Sequence, residues 1–535
     1  MKNLFKKVSA ILMAAIMVLS MCATVFAAIP SEADTADAVV HNVEAGATVN
    51  AYQITKAKYD PNGKGFLGYE AVKGVTLANV LAPTSDEVAA IVNSNLASLP
   101  TQAMTPAGTE GLVDYTAKLA PGYWIVIVSG TVNEVYNPML LGVAYSESGT
   151  DNKMTADPVD ANGNWTGEAY AKSTAPSIDK KITGSTTADG KTNTTDKNLN
   201  EKGNDVAIGD IVNYEITTHI PSYSKQYSEV IVNISDTLSK GLTLNKDSIL
   251  INGKAVDATM GTLTTSNRGF EFVINSNYAL AHGNEEITVT YSATVNDDVE
   301  KNFDPNTNTA KLVYSNNPLD KDVTKETESK TYTYTFSIGA ALSASIQSYN
   351  KKVNQIIKID ADGKVISTKT SESGLEKDKV IEVKEGAEFT LTNNNKKTGK
   401  SYTATTGADG GLTFEGLDAG EYTLVETKAP SGFALSNKEI PVVIAATYTE
   451  KGKLDTLTIT IDGKRTSVYK ADYTDEGKVN TITNTTEVTD VVNTKLGTLP
   501  STGGMGTYLF TIIGVVVMAG AAGAFFMSRR KGSEE

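Results

Sequence analysis

The chain has 535 residues, a formal net charge of −14 and a single cysteine, Cys22. An acidic balance disfavours nucleic acid and anionic lipid as partners, and one cysteine excludes a disulfide framework. Abundant Thr, Val, Asn, Gly and Tyr with few long helical patterns point to all-β modules.

Lys2, Lys6 and Lys7 precede an apolar stretch from Val8 to Val25, and Val25-Phe26-Ala27 supplies small residues for signal peptidase. Residues 1–27 therefore read as a secretory signal peptide, set aside in reasoning about the fold. Cys22 lies inside it, so no disulfide braces the mature chain outside the cell. A lipidation reading of Leu19-Ser20-Met21-Cys22 is weaker, because Met is a poor residue before a lipidated Cys. About 475 residues remain between the targeting segments, enough for three domains of ordinary size.

One helix is expected early, over Ser85 to Leu96, where Val88, Ile91 and Val92 follow a Ser/Asp start. Elsewhere the period is two. Val212-Asn213-Tyr214-Glu215-Ile216, Ile287-Thr288-Val289-Thr290-Tyr291 and Leu457-Thr458-Ile459-Thr460-Ile461 each put apolar side chains on one face. Turn signals such as Asp60-Pro61-Asn62-Gly63, Asp362-Gly363 and Asp409-Gly410-Gly411 separate such strands. The pattern predicts tandem immunoglobulin-like β-sandwiches. Polar linkers near Lys172-Ser173-Thr174-Ala175-Pro176, 339–348 and 493–498 divide them into domains at 28–172, 173–338 and 339–495, with a terminal segment at 496–535.

Several strands carry a polar residue where an apolar one belongs. Lys180 shares a face with Ile178 and Ile182, and Asp236 shares one with Val230, Val232 and Ile234. Asn308 continues the stripe of Ala310, Leu312 and Tyr314. In the third domain Glu426 lies on the face of Tyr422 and Leu424, and a buried carboxyl must be neutral or paired. Leu119-Ala120-Pro121-Gly122-Tyr123-Trp124-Ile125 weakly repeats Leu417-Asp418-Ala419-Gly420-Glu421-Tyr422-Thr423-Leu424 with a one-residue offset. The repeat puts Ile127 where the third domain has Glu426. His41, His219 and His282 have no ligand spacing, so no metal site or His-based catalysis is expected. Asp360-Ala361-Asp362-Gly363 reads as a turn, since Ser371 stands where a calcium loop needs Glu. No cofactor is expected.

At the C-terminus, Leu499-Pro500-Ser501-Thr502-Gly503 precedes an uncharged apolar run from Tyr508 to Met527 and then Ser528-Arg529-Arg530-Lys531. Twenty helical residues span about 30 Å, one hydrocarbon core, and the basic cluster favours a cytoplasmic end. In this order the three elements resemble the cell-wall sorting signal of Gram-positive surface proteins, with its transmembrane helix. Glu421-Tyr422-Thr423-Leu424-Val425-Glu426-Thr427-Lys428-Ala429-Pro430-Ser431-Gly432-Phe433 resembles the E-box of Gram-positive pilins. Trp165-Thr166-Gly167-Glu168-Ala169-Tyr170-Ala171-Lys172 partly resembles the pilin motif; Ala171 replaces its Pro, and the usual valines are missing.

The resemblance, to a major backbone pilin of sortase-assembled pili, covers nearly the whole chain. It implies that a sortase cysteine attacks the Thr502 carbonyl, releases Gly503 onward, and passes the acyl group to Lys172 of another subunit. Lys153 and Lys181 are rival acceptors. It also implies internal isopeptide bonds: Lys180–Asn308 with Asp236 in a collagen-adhesin A-like middle domain, and Lys358–Asn484 with Glu426 in a B-like third domain. A long polar insertion before Gly386-Ala387-Glu388-Phe389 leaves Lys351 and Lys352 as rival nucleophiles. With Ile127 in place of the acid, no such bond is expected in the first domain. Expected partners are pilin-specific and housekeeping sortases, other copies of the chain, minor pilins, peptidoglycan and host surface ligands. The runner-up is a monomeric wall-anchored adhesin, and a wall-attached enzyme comes third.

Overall fold

The computed structural model describes residues 30–62, 65–94, 96–145, 154–155, 167–188, 200–339, 356–359, 364–368, 379–382, 385–394, 400–407, 412–429, 431, 433–463, 465–473 and 479–485. The signal peptide, Lys153, Trp165, Lys351, Lys352, the sorting motif and the predicted 508–527 helix lie outside the described residues. No helix among the described residues is long and apolar enough to cross a membrane. The fold is predominantly β, as expected.

Described residues up to Ala175, with Pro221–Val230 and Ser315–Lys325, form one compact unit; Pro176–Ile220, Ile231–Tyr314 and the described residues from Glu326 onward form a second. In the first unit, one sheet runs Glu168–Tyr170, Ala36–Glu44, Leu112–Leu119, Thr105–Pro106 in spatial order. The other runs Met154–Thr155, Met139–Tyr145, Gly122–Gly130, Ala47–Gln53, Thr101–Ala103. Val40, Tyr115, Trp124, Val126 and Leu141 share the core of this unit.

The helix forms at Ser85–Ser94. Its cap is Thr84 rather than Ser85: Thr84 Oγ1 and Glu87 Oε2 bond at 2.7 Å, and the Glu87 carboxylate also accepts the Thr84 N–H at 2.8 Å. This is a capping box, satisfying amides that the first helical turn leaves open. Val88, Ile91 and Val92 pack against Ile54, Ile125 and Ile127. Trp124 to Val128 are all buried because one sheet face meets the core and the other meets the helix cluster. A strand covered on both faces becomes a continuous apolar run. Ile127 is therefore core, with no acid in its place.

The first unit extends beyond the predicted 172/173 boundary. Tyr227 Oη donates to Tyr136 O at 2.8 Å, and Asn316 Nδ2 donates to Val132 O at 2.8 Å. Segments assigned by sequence to the middle domain thus complete the first unit.

In the second unit, the middle region is a two-sheet sandwich. One sheet orders Ile178–Thr186, Ile211–His219, Glu286–Val295, Leu242–Leu244; the other orders Gly203–Asp205, Thr324–Tyr334, Asn306–Ser315, Val232–Leu238, Gly269–Ile274, Gly261–Ser266. Beyond it a seven-stranded sheet runs Ser401–Thr405, Glu388–Asn393, Gly420–Lys428, Ile440–Tyr448, Leu454–Ile461, Arg465–Tyr473, Val479–Thr485. Phe303, Tyr334 and Phe336 share a core with Phe389, Leu391, Tyr422 and Leu454. Packing is therefore continuous across the predicted 338/339 boundary. Asp205 Oδ1 accepts the Ala419 N–H at 2.6 Å across the same junction.

Gly122 opens the central strand of the first unit with φ +145°, and a Cβ there would lie 1.9 Å from Thr55 O. Positive φ and a backbone clash add. Gly122→Ala is expected to destabilise the chain by about 2–4 kcal/mol, read as a lower denaturation midpoint; an unchanged midpoint would contradict this packing.

Candidate functional site: a buried lysine cluster and an exposed lysine

Three of the residues singled out in the sequence meet between the two sheets of the middle region. Lys180 sits on one sheet, with Ile178 and Ile182 buried on the same face. Asp236 and Asn308 sit on the other, on adjacent antiparallel strands, where Asp236 faces Ala310 and Leu238 faces Asn308. Lys180 and Asn308 are 0% exposed and Asp236 is 3% exposed. Lys180 Nζ donates to Asp236 Oδ2 and to Tyr291 Oη. Asn308 Nδ2 donates to the same Tyr291 Oη at 2.9 Å. The phenol therefore joins the Lys180 amine and the Asn308 carboxamide in one hydrogen-bonded cluster. Tyr214 stacks on Tyr291 at 5.2 Å, and Lys180 Nζ lies 5.0 and 4.9 Å from the two ring centroids.

Burial sets the charge states. Desolvation pushes the Lys180 amine down to about 8, against the opposing pull of Asp236. The same loss of water pushes the Asp236 carboxyl up, although Lys180 opposes it. Both shifts favour the neutral pair, a free amine beside a protonated carboxyl. Among the described residues, Asp236 Oδ1 and Asn308 Oδ1 are buried acceptors with no hydrogen-bond partner. A proton on Asp236 converts one of these acceptors into a donor. Such a cluster can present a neutral amine to a carboxamide and move a proton beside it.

The third region brings less together. Glu426 is 2% exposed, on the face of buried Tyr422, as its spacing predicts. Its carboxylate accepts the Ser436 N–H at 2.7 Å. Lys358 lies in the strand Ile356–Ile359, which joins Lys364–Thr368 and Lys379–Glu382 in a separate three-stranded sheet. Asn484 lies in Val479–Thr485, and three strands stand between it and the strand of Glu426. The register widens the gap. Glu426 lies beyond Leu424, which faces Ile440. Asn484 faces Tyr469, Tyr469 faces Leu457, and Leu457 faces Ala446, beyond the opposite end of Glu426's strand, where Gly420 faces Ile444. The sheet does not bring Asn484 to Glu426.

Lys172 is exposed in the first unit, and no hydrogen bond or ion pair of its amine is found among the described residues. It is not in a loose linker. The strand Glu168–Tyr170 precedes it, parallel to Ala36–Glu44, and Ser173–Thr174 follows, antiparallel to Val135–Tyr136. Ala171 N donates to His41 O at 3.0 Å, and Asn137 N donates to Lys172 O at 3.1 Å. Both flanks of the lysine are thus tied to sheet backbone.

Four family models match the chain in order. They describe a T6 antigen Ig-like domain at 33–173, a Gram-positive pilin backbone subunit 2, Cna-B-like domain at 208–318, a prealbumin-like fold domain at 375–458 and an LPXTG cell wall anchor motif at 491–534. The trypsin-resistant surface T6 protein of Streptococcus pyogenes serotype M6 is 29% identical, over 94% of this chain and 96% of its own. Together these matches support a Gram-positive backbone pilin. The solved T6 backbone pilin of serotype M6 S. pyogenes shares the fold at TM-score 0.57 and 22% identity, covering 88% of this chain and all of that one. As a backbone pilin the chain is a structural subunit of a surface pilus anchored to the cell wall, and not an enzyme acting on other molecules. The middle region resembles A-type collagen-adhesin domains in its order of Lys, Asp and Asn, whereas the family model at 208–318 is described as Cna-B-like.

Sequence reasoning passed over two residues of the buried cluster. Tyr214 and Tyr291 continue the apolar faces of their strands, and only their polar tips mark them.

Proposed function

We propose that this backbone pilin is polymerised through Lys172 and Thr502 and is locked internally by a Lys180–Asn308 amide. Polymerisation follows the resemblance of the sorting motif. A sortase thiolate attacks the Thr502 carbonyl, the Thr502–Gly503 bond breaks, and a thioester forms. The neutral Lys172 amine of another subunit attacks that thioester; a C–N bond forms, the C–S bond breaks, and the amine proton leaves with the thiol. The product is a head-to-tail fibre, a heterologous assembly that never closes. The observation that supports Lys172 is its exposure between two backbone-pinned flanks. Pilin-specific and housekeeping sortases, minor pilins and peptidoglycan are its partners in this scheme.

Support for the internal bond is the buried cluster. The neutral Lys180 amine attacks the Asn308 carboxamide carbon while protonated Asp236 polarises the carbonyl. Asp236 then relays a proton to the departing nitrogen, and ammonia leaves as the new amide closes. In the third domain Glu426 is the buried acid, and Lys358 and Asn484 are its partners by resemblance alone.

Each bond expels one ammonia, so the intact mass of the processed chain should lie about 17 Da below its sequence mass for the middle bond, and about 34 Da below with both. Asp236→Ala should restore one ammonia. It should also lower the unfolding free energy, since closing a loop on the order of 100 residues is worth about 4–5 kcal/mol in the chain-entropy model. Absence of any deficit in the wild type would refute the internal chemistry.

Lys172→Arg keeps the charge but offers no usable nucleophile near neutral pH. In a host supplying the matching sortase, wild type should give a detergent-resistant ladder, and the Lys172→Arg chain a wall-bound monomer. An unchanged ladder would exclude this acceptor.

A further inference from the structure

His41 joins three strands of the first unit at one point. It lies on Ala36–Glu44, where the pairing with Leu112–Leu119 shifts register between Val40 and Val43, and Asn42 adopts φ +64°. Its ring faces Asp114 on one neighbouring strand and the 168–170 segment on the other. His41 Nδ1 must be the donor to Asp114 Oδ1, at 2.9 Å, because the carboxylate only accepts. Nε2 lies 3.6 Å from Glu168 Oε2, a distance that becomes an ion pair only when the ring is protonated. The imidazole also stacks on Tyr170, with centroids 4.6 Å apart and planes at 27°. Asp114 and Glu168 are the charged groups seen to face the ring from these flanking strands.

The segment held this way is the one that ends at Lys172. Glu168–Tyr170 is a three-residue edge strand in parallel pairing, a weak arrangement alone. Ala169 is buried, but Tyr170 is 51% exposed, so burial alone does not fix the outer half of the segment. Val39 N donates to Gly167 O at 2.8 Å and Ala171 N donates to His41 O, and between these bonds the His41 side chain meets Glu168 and Tyr170. We infer that His41 is a positioning residue for lysine transfer: by bridging Asp114, Glu168 and Tyr170 it holds the backbone before Lys172 in the extended form that the sortase acyl-enzyme meets. This rests on the reading of Lys172 as acceptor. Ordering the segment in advance spares the encounter complex that entropy, so the effect falls on productive docking of the acceptor.

The test uses the processed chain, residues 28–502, as acceptor, with a Leu-Pro-Ser-Thr-Gly donor peptide and a pilin sortase. His41→Ala should raise the acceptor KM about fivefold, the scale of one lost side-chain hydrogen bond, with donor hydrolysis unchanged. His41→Asn, which keeps a donor toward Asp114, should recover most of the loss. Amide exchange at Ala171 should quicken in His41→Ala and recover in His41→Asn. Rates are normalised to the folded fraction from a thermal melt, so lost fold cannot pass for lost positioning. Unchanged acceptor kinetics in His41→Ala, with transfer abolished in Lys172→Arg, would overturn the positioning role alone. Transfer persisting in Lys172→Arg would overturn the acceptor assignment and this inference with it.

Discussion

Removing water from Lys180 shapes the middle of this pilin. An ammonium between two sheets loses its hydration, and Asp236, the Tyr291 hydroxyl and two tyrosine rings are what replace it. A buried charge pair is costly, and a hydrophobic pair of similar size is often as stable. The cost is relieved if the groups become neutral and react, because the resulting amide carries no charge. Lys172 lies under the opposite condition. It is exposed, and its flanks rather than its side chain are held. Two lysines close in sequence are thus separated by solvation, one enclosed between two sheets and the other open to solvent.

The three regions meet the need for stability without disulfides in different ways. In the first unit the Ser85–Ser94 helix cluster covers the second face of Gly122–Gly130, so Ile125 and Ile127 add apolar area. In the middle region the stripes of both sheets admit Lys180, Asp236 and Asn308. The last region buries Glu426 and ties it to the Ser436 amide. Satisfied burial of a carboxyl by backbone is a stable outcome in itself.

Much of this was legible in the sequence. Period-two strands gave the fold class, and the faces of Lys180, Asp236 and Asn308 followed from counting along their strands. Burial of Glu426 followed in the same way. What alternation cannot supply is partner strand and register. It put Asn484 on a strand but could not show that three strands would separate it from Glu426. Nor can alternation show which contacts cross a linker. Phe303, Tyr334 and Phe336 precede the expected linker yet fill the core that follows it. Tyr227 and Asn316 bond to the first unit from within the predicted second domain. The contacts of His41 with Asp114, Glu168 and Tyr170 were likewise invisible, because they join strands far apart along the chain.

The central claim is that one pilin is joined to the next through a particular pair of atoms. Fibres purified from the cell surface, digested and analysed by tandem mass spectrometry, test it directly. The account predicts a branched peptide in which the Thr502 carbonyl is bonded to Lys172 Nζ. Branches at another lysine, with Lys172 recovered free, would contradict it.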